Sequence, residues 1–131
     1  MADPQGVAFD VHIVGDETLE TFTGKFRAKE KLSWADQLGI DRYRRELLGV
    51  NAAESTVEVY KRATVISELA AYLTEAPDWW KTSRGGLDII DDNVVLKVYD
   101  EATKVREAWL KAQKEKGEAA KKKLAATQEK K

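Results

Sequence analysis

The chain has 131 residues, 43% apolar and 34% charged, which suits one soluble domain with a single core and long exposed helical faces. A net charge of −1 gives no ground for expecting a nucleic acid or an acidic substrate. The absence of cysteine removes disulfides, thiolate chemistry and cysteine-ligated metal.

The first fifteen residues lack the basic start and apolar run of a signal peptide. No stretch approaches the ~18 apolar residues of a membrane span. Residues 1–6 read as loose. Val7, Phe9, Val11 and Ile13 then alternate with Ala8, Asp10 and His12, the period of a half-buried strand. Gly15-Asp16-Glu17-Thr18 is a turn cluster. In the run from Leu19 to Ala28, Phe22, Phe26 and Ala28 share one face and Thr21, Thr23 and Lys25 the other. The two runs predict a β-hairpin, with Gly24 marking a bulge or a close backbone approach. A two-stranded hairpin is marginal alone, so its apolar face must pack on helices or pair with another chain.

Ser33 with Asp36 predicts a helix start and Gly49 its end, with Trp34, Leu38, Tyr43 and Leu47 as the apolar stripe. A second helix starts near Ser55, or at Asn51. Its broad face is Val57, Tyr60, Val65, Leu69, Tyr72 and Leu73, widened by Ala63, Ile66 and Ala70. It ends before Pro77. A long loop from Ala76 to Asp91 follows, folded back by Leu87, Ile89 and Ile90. Asp91 or Asp92 starts a third helix with Val95, Val98, Tyr99, Ala102, Val105, Trp109 and Leu110 on its stripe. Residues 111–131 hold eight lysines against three glutamates, a charge of +5 that leaves −6 on the preceding residues. From residue 113 the chain has high helix propensity but no face to bury, so a fraying or disordered tail is expected, with Gly117 a weak break. The expected fold is α+β, mainly α: an N-terminal β-hairpin and three helices in one domain over 1–112, then a lysine-rich tail over 113–131.

Catalytic patterns are scarce. His12 is the single histidine and has no cysteine or carboxylate motif beside it, so it reads as a structural or surface residue. Asp91-Asp92 and Asp100-Glu101 are neighbours on a helix, point in different directions and make no acid–base dyad. The first pair is better explained as a helix start favoured by the macrodipole. Gly85-Gly86 lacks the rest of a phosphate loop, and no nucleophile elbow appears. An enzyme is not expected, and neither a cofactor nor a metal. Arg42, Arg44 and Arg45 lie among Asp41 and Glu46 and read as a solvated face. The lysine tail has no aromatics for stacking and reads as solubilising. Trp79 and Trp80 stand apart: indoles are costly to leave in water and common at interfaces. One is expected in the core and the other at a rim or interface.

The order of elements and the segment Glu75-Ala76-Pro77-Asp78-Trp79-Trp80 carry a resemblance. Together with the later run Leu96-Lys97-Val98-Tyr99-Asp100-Glu101-Ala102, they make residues 7–112 similar to the tail assembly chaperones of long-tailed bacteriophages. The resemblance implies a protein of the host cytoplasm that coats the tape-measure protein, recruits tail-tube subunits and leaves before the virion is complete. It also implies self-association for avidity along a long partner, no membrane and no specific nucleic acid. Lys121-Lys122-Lys123 and Glu129-Lys130-Lys131 would suit a slippery run for a programmed frameshift. The partner-binding candidates are Trp79, Trp80, Ile89, Ile90, and Val7, Phe9 and Val11 on the hairpin. Alternatives are a structural tail or neck component retained in the particle, and a small nucleic-acid-binding regulator using Arg42–Arg45 and the tail.

Overall fold

Val7–Val14 (β1) and Thr21–Ala28 (β2) pair antiparallel without a break in register, from Val7 opposite Ala28 to Val14 opposite Thr21. The computed structural model describes residues 6–50 and 55–129, and side-chain surroundings to residue 126. Residues 1–5 of the loose start read over 1–6, the Asn51 helix start and Lys130-Lys131 lie outside these. The alternation read from the sequence holds. Val11, Phe26 and Ala28 are buried on one face while Asp10, His12, Thr23 and Lys25 face outward. Gly24 marks a close approach rather than a bulge: a Cβ there would lie 2.6 Å from the Pro77 ring.

Helix α1 (Trp34–Leu48) begins in the capping box of Ser33 and Asp36, and Gly49 ends it at φ 73° with its N–H donating to the Arg45 carbonyl. The predicted stripe is only half right. Ile40, Tyr43 and Leu47 pack against the core, but Trp34 is 77% exposed and Leu38 is also exposed. Helix α2 (Val57–Tyr72) is capped by Thr56, whose hydroxyl accepts from the Val59 N–H, and not by Ser55. Its first turn is uncovered, with Val57 and Tyr60 in solvent, and Ala70 is exposed too. Ala63, Ile66, Leu69 and Tyr72 reach the core.

Two elements were not visible in the sequence. Leu73–Glu75 (β3) leaves α2 directly and pairs with β2 through an irregular register, making a three-stranded sheet in the order β1-β2-β3. Asp78–Thr82 (α3) is a five-residue helix within the expected loop. Three residues carry no alternation, and a single helical turn carries no stripe.

Helix α4 runs from Asp92 to Glu129, 38 residues and so about 57 Å long. Of the two states expected beyond residue 113, the helical one is observed, and Gly117 does not interrupt it. Positions 110–126 are all exposed, so that part buries nothing. The core is one cluster: Val11, Phe26 and Ala28 from the sheet, Ile66, Leu69 and Tyr72 from α2, Trp80 from α3, and Val95, Val98 and Ala102 from α4.

The hairpin turn is fastened to the start of α4. Asp91 is fully buried, and its carboxylate accepts from the Glu17 and Thr18 N–H groups at 2.6 and 2.9 Å and from the Thr18 hydroxyl at 2.6 Å. Asn93 adds two bonds, accepting from the Asp16 N–H and donating to the Val14 carbonyl. A Cβ on Gly15 would lie 2.2 Å from the Asp91 carboxylate, so the turn must have glycine there. Asp91 is therefore more than a helix start: it joins segments more than seventy positions apart. The Thr18 hydroxyl, then the two N–H groups, hold its carboxyl below the usual carboxylate range, against the opposing effect of burial. A depressed carboxyl contributes stability above its unfolded value near pH ~4 and loses it as pH falls through the lower folded value. Asp91→Asn should lower the melting temperature at neutral pH and flatten its decline below pH ~4. Thermal melts of both proteins across that range check this; parallel curves would contradict it.

Candidate functional site

Pro77 starts α3, its carbonyl accepting from the Trp80 and Lys81 N–H groups. This turn aims both indoles at the hairpin. Trp80 is buried, with its ring 5.6 Å from Phe26, edge to face. Trp79 also meets Phe26 at 5.6 Å and Phe22 at 5.1 Å, and its indole N–H donates to the Thr23 carbonyl at 2.9 Å. Phe9 stacks on the remaining side of Phe26 at 5.4 Å. Arg84, Gly85 and Gly86 all have positive φ in the following turn, and a Cβ on Gly86 would lie 2.8 Å from the Trp80 ring. The glycine pair seats an indole; it is not a phosphate loop.

The two indoles differ in burial, as the sequence reading expected: one is core and the other only partly covered. Trp80 is core, and half-buried Trp79 caps a backbone carbonyl of β2. Of the hairpin candidates, Val11 is buried, Phe9 is half-buried and only Val7 is exposed. Trp80 and Val11 therefore offer a partner no side-chain surface. Ile89 and Ile90 remain: Ile89 is half-buried and Ile90 is 63% exposed.

Ile89 leads to the better candidate. It lines a groove of about 540 Å³ between α2, the 83–91 turn and α4. Val59, Val65, Ile66, Leu87, Val95 and Leu96 supply the apolar walls, and Glu58, Lys61, Arg62 and Asp92 the charged margin. Arg62 and Asp92 form an ion pair joining α2 to the start of α4. Val59 and Leu96, both more than half exposed, form the outer lips. The sequence reading passed over them because they flank the stripes of their helices. Their one signal was apolar residues in excess of the width a buried stripe needs.

A second cleft, of about 460 Å³, lies between α1, α2 and α4. The exposed Trp34 and Leu38 line it with Tyr72, Glu68 and Arg106. The Tyr99 hydroxyl donates to Glu68, and burial followed by that carboxylate pushes the phenol well above its ordinary range.

Within the arginine cluster of α1, Arg44 and Arg45 share the Asp41 carboxylate at 2.9 and 2.8 Å. His12 stands exposed on β1. Among the described residues, no three His, Asp or Glu side chains are grouped to hold a metal ion, and no helix is long and apolar enough to cross a membrane. Comparison with family models, with curated proteins and with solved structures found no match.

Because Trp80 is core, Trp80→Ala should destabilise the fold by about 3–5 kcal/mol, the usual range for truncating a buried aromatic residue. Denaturant unfolding measures this. A loss under ~1 kcal/mol would mean that Trp80 is not packed as described.

Proposed function

We propose that this chain is a non-enzymatic assembly chaperone of the phage-tail type its sequence resembles. In this reading it covers apolar stretches of the helical tape-measure protein, brings tail-tube subunits to them, acts in the host cytoplasm and departs before the particle is complete.

The groove between α2 and α4 is the observation that carries the reading. It is apolar along its floor and charged at its margin, the chemistry that receives one face of an amphipathic helix at i, i+3, i+4 and i+7. A long helical chain with exposed apolar faces aggregates unless they are covered. A groove of this size takes one row of side chains, not a whole helix. Each contact is then modest, and many copies along a filament supply avidity while each remains reversible.

The experiment is co-expression with the tape-measure protein and measurement of its soluble fraction. Leu96→Asp should leave the fold intact, because the side chain is 55% exposed and substitutions at such positions usually stay within ~0.5 kcal/mol. It should reduce the soluble partner sharply. If the folded variant protects the partner as well as the original chain does, the groove is not the binding site.

A further inference from the structure

The two edges of the sheet differ. The β3 edge is three residues long, with an irregular register and an Arg27–Glu75 ion pair on it. Beyond the reach of β3, the indole N–H of Trp79 covers the Thr23 carbonyl. That side is short, interrupted and capped, as isolated edges commonly are. The β1 edge has eight residues in unbroken register, with no proline, lysine or bulge. Among the described residues no element pairs with it.

The groups that face this edge follow from parity. The Gly15 N–H donates to the Glu20 carbonyl. In an antiparallel ladder alternate residues bond the same neighbour, so the odd-numbered residues of β1 turn their backbone groups to β2. The N–H and C=O groups of Ala8, Asp10 and His12 therefore face outward. The Val14 carbonyl, of the same parity, is the one Asn93 reaches from outside the ladder.

We propose that β1 pairs antiparallel with β1 of a second copy about a two-fold axis at Val11, with Asp10 opposite the second copy's His12. Both side chains are exposed on the outer face. Moving the axis to residue 10 would set Asp10 against Asp10, and moving it to residue 12 would set His12 against His12. Of these three registers only the one at Val11 sets Asp10 against His12, a carboxylate facing an imidazole N–H that can donate to it. An odd shift would put apolar and polar faces on the wrong sides. In the favoured register Phe9 lies across from Ile13, extending the apolar face, and exposed Val14 lies beside Ala8. About four backbone hydrogen bonds form between the outward groups of Asp10 and His12 in the two copies. The result is one six-stranded sheet carrying two helical grooves. The pairing stands independently of what the grooves hold.

The chain has no cysteine, so crosslinking reads the register directly. Residues directly opposite in a bonded pair lie ~5.5 Å apart at Cα, within disulfide range. Identical positions two residues out of step exceed its ~7 Å limit. Asp10→Cys mixed with His12→Cys should therefore oxidise to a crosslinked heterodimer, while neither variant alone should crosslink. The unmodified full chain should sediment as a dimer at high concentration. Asp10→Pro removes only an outward N–H and should shift it to monomer. A chain that stays monomeric, a mixture that does not crosslink, or either variant crosslinking alone as readily would overturn the proposal. A monomer that still keeps its tape-measure partner soluble would overturn the pairing and leave the groove reading standing.

Discussion

Phe26 is where the hairpin is held. A two-stranded hairpin buries too little to persist in water, so these strands need a cover on their apolar face. Two indoles provide much of it, Trp79 and Trp80 meeting Phe26 edge to face beside the cross-strand stack of Phe9 on Phe26. These geometries suit rings that carry a negative face and a positive edge. The cover comes from α3, a helix too short to be stable alone. Pro77 starts it, Gly24 lets the Pro77 ring approach, and Gly86 leaves room for the Trp80 ring. Each small residue sits where a larger one would collide with a ring that the hairpin requires.

Asp91 and Asn93 tie the other end of the hairpin. Their five hydrogen bonds to the turn fix where β1 and β2 cross the start of α4. Aromatic packing secures the strands in the middle and the polar junction secures their tip. The hairpin is thus tied to α4 at its tip and to α3 along its strands. The same anchoring places the 83–91 turn beside α2, where Gly86, Leu87 and Ile89 become a wall of the groove. The surface proposed to meet a partner and the core that holds the hairpin share this short segment, with Trp80 on the inside and Ile89 at the groove.

The described surface carries two partly apolar clefts. The single histidine is exposed, Asp100 and Glu101 are paired with lysines along α4, and Gly86 seats an indole. Apolar side chains nevertheless remain in solvent along the lips of two clefts. Leaving Trp34, Val59 and Leu96 exposed is a standing cost to solubility, which a partner's cover would relieve.

Local chemistry was legible in the residues themselves. The alternation of Val7–Ile13, the Ser33 helix start, the Gly49 stop and the stripe of α4 from Val95 to Trp109 each rest on interactions within a few positions, and each appears where the sequence placed it, though buried Val94 was missed and Leu110 is exposed. Strand β3 and helix α3 were not legible, because three or five residues are too few for a period to show. Trp79 and Trp80 could be marked as residues needing cover, but not assigned a direction. Both turn inward because Phe26, more than fifty residues earlier, lies within reach of both rings. Asp91 looked like a helix start because its partners, Glu17 and Thr18, are adjacent to it only after folding. The sequence by itself determined the hairpin and the three longer helices and that two indoles needed burial, since those depend on neighbours along the chain. Tertiary structure alone decided which apolar residues were surplus to the core, since that depends on how much area the other elements cover.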